Sequence, residues 1–231
     1  MTKSAPAAAT QKTSKNWFLI FILVYGLWVW IPFLAPLFMR LGWDSPAKAI
    51  YFIYSFFCHQ LPERSYFFFG PQISYSLSEI QTVWGDTSNL LLLRKFIGTP
   101  EMGWKVAWSD RMISFYGGVW LSALIWYPLR RRIKSLHPLW MGLLLAPIAV
   151  DGVSHLVSDL AGIGLGFRDS NLWLASLTQF AFSPYFYAGD ALGSFNSWMR
   201  ILTGLLGGVG LVWFAIPFVN EAFSVDSGNT L

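Results

Sequence analysis

The chain has 231 residues, of which 55% are hydrophobic and only 12% charged, with a mean hydropathy of +0.47. A soluble domain carries about a quarter charged residues, so this composition describes a membrane protein, and its 13 Trp suit the headgroup level of a bilayer. The net charge of +4 comes from scattered Lys and Arg and excludes the clustered basic face that nucleic acid needs. A single cysteine, Cys58, excludes an intrachain disulfide and any multi-thiolate metal site.

Residues 1–15 are polar and rich in Ala, Ser, Thr and Lys, which predicts a disordered tail. The apolar segment Trp17–Met39 is long enough to cross, since ~20 residues at a 1.5 Å rise span a ~30 Å hydrocarbon core. A signal peptide has a shorter apolar region of about 7 to 15 residues, and no small-residue cleavage site follows Met39. Pro32 and Pro36 predict a kink in this first membrane helix. Asp44 or Ser45 with Pro46 then marks a helix start, and residues 47–57 have a helical period but are too short to cross. This segment is expected to lie in the interface or to re-enter from one side.

Pro62 disfavours helix at Leu61 and ends that element. From Gln72 to Ser109 the chain is mixed and polar, predicting an extramembrane insertion with a short helix near Leu90–Phe96. Met112–Leu129, Leu139–Leu156 and Ile201–Val219 are the remaining crossings. The Gly-rich and aromatic stretch Ser158–Phe195 reads as a loop; its Gly162-x-Gly164-x-Gly166 has neither a preceding strand nor a P-loop lysine. The expected fold is therefore an all-α integral membrane protein. One helical domain, residues 16–221, carries four transmembrane helices and a short interfacial helix, with an insertion at about 72–109 and polar tails at 1–15 and 222–231.

Lys3, Lys12 and Lys15 flank the first helix, and an even number of crossings places Arg130-Arg131-Arg132-Ile133-Lys134 on the same side. Cations collect on the cytoplasmic side, so both termini are expected there, in a multi-pass protein of the cell membrane. The segment around Cys58 and the approaches Ser109–Arg111 and Asn196–Arg200 then face outward.

Asp151 and His155 lie four residues apart and share a helix face. A carboxylate at that depth costs on the order of 2.5 to 3.5 kcal/mol on insertion scales and requires a partner or a water-filled pocket. Arg64, Arg111 and Arg200 all fall near the outer interface. Clustered guanidiniums need compensation, by a bound phosphate or carboxylate or by Glu63, Asp110 and Asp151 acting internally. His59 can change charge near neutral pH and is the acid or base candidate, with Asp151 or Glu63 to orient it. Gly204-x-x-x-Gly208 has the spacing of close helix packing.

Cys58-His59-Gln60-x-Pro62-Glu63-Arg64-Ser65, followed by Arg111-x-x-x-x-Tyr116-x-Gly118, Asp151-Gly152, and Asn196 with Arg200-x-x-Thr203-Gly204, resembles a family of small predicted multi-pass membrane proteins of the DUF2085 type. The resemblance runs from about Tyr51 to Gly208 and implies a helical membrane protein without an established activity. It also draws attention to Cys58, Gln60, Glu63, Ser65, Tyr116, Asn196 and Thr203 as supporting residues, beside Asp110 and His155, which the charge and helix-face arguments supply. This chain departs from the family at Ser109 and Met112, where a pair of cysteines is usual, and at His155, where glutamine is usual. Its insertion at 72–109 is longer than the usual connection and offers a surface for membrane-protein partners.

The functional expectation is an outward-facing polar pocket that binds an anionic lipid head group or small anion through Arg64, Arg111 and Arg200. In its catalytic form His59 and Asp151 act on the bound group. The alternatives are a non-catalytic accessory subunit of a larger membrane complex, and a metal or haem carrier. Cofactor, substrate and the existence of a reaction stay open at this stage; membrane lipid is the one partner that composition implies.

Overall fold

The computed structural model describes residues 8–132 and 134–228, with side chains for 16–132 and 134–223. Part of the expected N-terminal tail lies outside the described residues; from Ala8 the backbone is helical. Helix α1 (Ala8–Trp30) continues through a 3-10 turn, Ile31–Phe33, into α2 (Leu34–Arg40). Pro32 supplies the break, because it lacks an N–H and its ring clashes with the carbonyl four residues earlier. The other long helices are α6 (Asp110–Leu129), α7 (Pro138–Asp159) and α11 (Phe195–Gly228). Four segments are long and apolar enough to cross a membrane: Asn16–Arg40, Asp110–Leu129, Pro138–Asp159 and Phe195–Phe223. Helix α11 runs through the expected C-terminal tail as far as Gly228.

Helix α3 (Asp44–Tyr54) is the expected short element. It buries Ala47, Ile50, Tyr51 and Tyr54, the i, i+3, i+4, i+7 positions of one face. Phe52 and Ile53 on its other face, with Phe56 and Phe57 just beyond, are exposed. A two-sided helix of this kind suits the plane of the interface.

The region expected to be a polar insertion contains a small antiparallel sheet. Strand β1 (Ser65–Phe68) and strand β2 (Gly98–Thr99) flank β3 (Gly103–Ser109), in the order β1-β3-β2. Ser65 pairs with Ser109 and Phe67 with Lys105, with a bulge between Ser65 and Phe67. Two short helices, α4 (Leu77–Trp84) and α5 (Leu90–Leu93), complete this cap. Residues 103–108 are all buried, so the strand shows no alternation of polar and apolar residues. That burial is why period-2 reasoning misses it. Val106, Ala107 and Trp108 join Tyr51 and Tyr54 in one core cluster, while Leu61, Phe67, Ile80 and Phe96 form a second.

At the opposite end of the bundle Trp17 stacks on Phe223 at 5.7 Å and Phe18 on Tyr127 at 4.1 Å. These contacts bring the start of the first crossing, the end of the last and the approach to Arg130 to one level, opposite the sheet. Between the two ends, α6 and α11 pack closely at glycines. A Cβ on Gly204 would stand 2.2 Å from Ser114 Oγ, and one on Gly208 would stand 2.8 Å from the Val119 amide nitrogen. Small residues permit this approach in a membrane, where packing replaces the hydrophobic drive between helices.

Gly204→Ala is therefore expected to destabilise the protein by roughly 1–3 kcal/mol, the usual effect of overpacking. Gly142→Ala, where an added Cβ meets nothing within 4 Å, should leave thermal unfolding in detergent unchanged.

Candidate functional site

After α3 the chain reverses over Cys58-His59-Gln60, with Gln60 in the left-handed region at φ 55. Cys58 Sγ accepts from the amides of Gln60 and Ser109, both at 3.4 Å. Gln60 Nε2 donates to the Tyr51 carbonyl at 2.9 Å, and its own carbonyl accepts from Lys105 Nζ at 2.5 Å. Ser65 Oγ donates to the Leu61 carbonyl at 2.8 Å, closing the 3-10 turn Pro62–Arg64. Cys58, Gln60 and Ser65 thus shape the loop and tie it to β3.

The turn delivers Arg64 to a buried ionic lattice. Arg64 Nη1 and Nη2 donate to the two oxygens of Asp159, each at 2.7 Å, and Nε donates to Asp190 at 2.8 Å. Arg200 Nε donates to both oxygens of Asp110 at 2.8 and 2.9 Å, while Nη1 donates to Asp190 at 2.5 Å and Nη2 to the Asp190 carbonyl. Asp190 accordingly bridges two arginines. Burial would raise the Asp190 carboxyl, but Arg64 and Arg200 outweigh it and hold the group well below the usual carboxylate range. Burial likewise opposes the Arg64 charge, and Asp190 and Asp159 more than restore it.

Asp151 anchors the second half of the lattice. It accepts from Arg111 Nη2 at 2.7 Å and from Arg168 Nη2 at 2.8 Å. Arg168 also donates to Asn196 Oδ1 at 3.1 Å and Ser154 Oγ at 2.9 Å, and its Nη2 lies 3.2 Å from His155 Nε2. Asn196 Nδ2 returns to the carbonyls of Arg168 and Gly189 at 2.7 and 3.0 Å. Through these bonds the segment from α8 (Phe167–Ser170) through α9 (Leu172–Leu177) to α10 (Pro184–Tyr187) is pinned onto α7 and α11. The stretch expected to be a plain loop is a structural part of the cap.

Asp151 and His155 share a face as expected, 3.9 Å apart at their nearest nitrogen and oxygen, yet they serve Arg168 and not His59. His59 itself is exposed, and no hydrogen bond among the described residues engages its ring. The expectation that Asp151 or Glu63 orients His59 is replaced by a different arrangement, because Asp151 is held by two guanidiniums and Glu63 makes no hydrogen bond. Burial lowers the His59 pKa, and Arg64 and Arg94 add to the effect. Tyr116 is a packing residue, its ring 4.9 Å from that of Trp108, and Thr203 Oγ1 donates to the Met199 carbonyl of its own helix at 2.7 Å.

Arg64, Arg111 and Arg200 do converge, together with Cys58, His59 and Met112, around a cleft of about 40 Å³. Arg111 differs from the other two: its Nε is buried without a hydrogen-bond partner. Among the described residues no group of three or more His, Cys, Asp or Glu side chains is placed to hold a metal ion.

Two further buried charges belong to the same cap. Lys105 Nζ donates to the carbonyls of Gln60 and Arg94, and burial brings its pKa down to about 7 against the opposing pull of Glu63. Glu63 is 2% exposed, and burial, opposed by Arg64 and reinforced by Asp190, pushes its pKa up to about 7. Sequence reasoning missed Lys105, Asp159, Arg168 and Asp190. The signal was present as isolated charges inside otherwise apolar or aromatic stretches.

Asp190→Asn should destabilise the fold by ~3–5 kcal/mol, because it leaves two buried guanidiniums short of counter-charge. Asp44→Asn, in the exposed pair with Lys48, should change thermal unfolding little. Glu63 ionises above about 4.5 in the unfolded chain but only above about 7 in the folded protein. The native state therefore holds the extra proton between those values, and stability falls as pH rises through that window. Glu63→Gln is expected to match the wild type in thermal unfolding near pH 4.5 and to exceed it at pH 8.

Comparison with known proteins finds sequence similarity to a predicted membrane protein family and to an uncharacterised protein. The chain is 25% identical over 215 residues to an uncharacterised protein, MJ1492, of Methanocaldococcus jannaschii, covering 90% of this chain and 95% of the relative. No solved structure matches it. Residues 101–214 match the family model described as predicted membrane protein, DUF2085, a stretch that holds Arg111, Asp151, Asn196 and Arg200 but not the segment 58–65. The family that the chain resembles in sequence is thus the one whose model it matches, a family of predicted membrane proteins of unknown function.

Proposed function

We propose that this membrane protein binds a small anion, or the terminal phosphate or carboxylate of a lipid head group, in the cleft beneath His59. The observation that carries this reading is Arg111, a residue of the cleft lining whose buried Nε lacks an acceptor. A buried donor without a partner costs about 1–3 kcal/mol, which an incoming oxyanion would recover. Arg64 and Arg200 spend their hydrogen bonds on Asp159, Asp190 and Asp110, so they contribute positive field and leave the bonding to Arg111. A volume of about 40 Å³ admits a group on the scale of one or a few waters, so a lipid head group would enter only by its terminal atoms.

His59 at the mouth is biased toward its neutral form and can accept a proton from a bound acid or water, which is the catalytic version of the site. Asp151 acts through Arg111 as a positioning residue. The basic run Arg130–Arg132 at the opposite end of the bundle favours a cytoplasmic placement of that end, and so an outward cap. An accessory-subunit role is the second reading, favoured by the carboxylates that already neutralise Arg64 and Arg200.

Titration calorimetry of the detergent-solubilised protein with inorganic phosphate and with a short-chain phosphatidic acid tests the choice. Arg111→Lys, which keeps the charge and loses the planar fork, should weaken phosphate roughly 10- to 100-fold, as loss of a charged hydrogen bond does. His59→Gln should weaken it less, with thermal unfolding unchanged. Absence of phosphate binding to the wild type, or equal binding by Arg111→Lys, would support the accessory-subunit reading instead.

A further inference from the structure

A second and larger cleft, about 700 Å³, lies on the cap between α4 and the segment that runs from Ile163 to Ala191. Its charged lining is of one sign: Glu63, Glu79, Asp169 and Asp190, with no Lys, Arg or His among the lining residues. Two of these carboxylates are already committed. Asp190 is held by Arg64 and Arg200, and Glu79 closes the N-terminus of α4 in a reciprocal cap with Ser76, with a further bond from Gln72. Asp169 gives one oxygen to the Gly166 amide at 2.8 Å.

Glu63 is different. Its side chain is 98% removed from solvent, both carboxylate oxygens lack a hydrogen-bond partner, and it lies in the lining of this cleft. The nearest cation, Arg64 Nε, stands 3.9 Å away and is aimed at Asp190. A buried carboxylate that no donor satisfies is costly unless a proton or an incoming cation meets it. We propose that this cleft is a binding site for an organic cation carrying a primary ammonium or guanidinium group, with Glu63 as its counter-ion and Asp169 as a second acceptor.

The size and the walls fit such a ligand better than a bare metal ion. Clefts of a few hundred to about a thousand Å³ hold organic molecules, and Leu77, Pro184 and Tyr185 offer apolar surface for an alkyl stem. A metal would need at least three converging ligands, and the described residues provide no such group. The site is independent of the anion reading. Glu63 and Arg64 are consecutive, yet only Glu63 lines this cleft and only Arg64 lines the smaller one.

Calorimetric titration of the full chain in detergent with spermidine tests the assignment. The wild type should bind it, and Glu63→Gln should weaken binding at least tenfold while phosphate binding stays unchanged. Ser78→Trp, at an exposed position on the cleft wall, should block spermidine comparably and is the variant that decides if Glu63→Gln folds poorly. No binding to the wild type at millimolar spermidine, or undiminished binding to a folded Glu63→Gln or Ser78→Trp protein, would overturn the proposal.

Discussion

The Asp190 carboxylate, shared between Arg64 and Arg200, is the contact on which the cap depends. It joins the turn after the interfacial helix to the start of the last crossing, and Arg200 carries the link onward to Asp110 at the start of α6. Arg64 carries it in the other direction to Asp159 at the end of α7. Each guanidinium is desolvated, so each would be expensive alone; bidentate and shared carboxylates make the burial tolerable. Such a lattice contributes more to specificity of arrangement than to net stability, because apolar residues of equal volume could fill the space but would not select one set of helix ends. The close glycine contacts between α6 and α11 set the distance at which Arg200 meets Asp110.

The signature segment has a divided role within this frame. Cys58, Gln60 and Ser65 turn inward and hold the reversal of the chain against β3. Arg64 locks the segment to the end of α7 through Asp159 and to the approach to α11 through Asp190, while His59 and Glu63 remain outside the hydrogen-bond network. Polar residues that the fold leaves unsatisfied are where chemistry or binding has room to act. The Arg64–Asp190 pair also forms a wall between two clefts of opposite character, one presenting Arg111 and the other Glu63. That separation follows from the 3-10 turn, which sends neighbouring side chains in different directions.

Much of the architecture was legible without coordinates. Apolar run lengths identified the four crossings, Pro32 marked the interruption of the first, and the helical period of residues 47–57 indicated a short helix where α3 lies. The small sheet was not legible, because a short strand buried on both sides leaves no alternation to read. The sequence put Arg64, Arg111 and Arg200 near one interface and the structure sets all three around one cleft, but their partners were only half identified. Asp110 and Asp151 were anticipated; Asp159 and Asp190 were not, and Glu63 proved to be outside hydrogen-bond reach of the arginines.

What the sequence determined by itself is what local chemistry controls: class, crossings, the presence of a short helix too short to cross, and which residues share a face, as Asp151 and His155 do. Only the tertiary structure decided which charge meets which. Arg64 finds Asp159 across 95 residues and Asp190 across 126, separations at which periodicity carries no information. It also decided which groups stay unpaired. A carboxylate or guanidinium becomes an orphan through the geometry of all its neighbours at once, so Arg111 Nε and Glu63 acquire their meaning only when the cap is assembled.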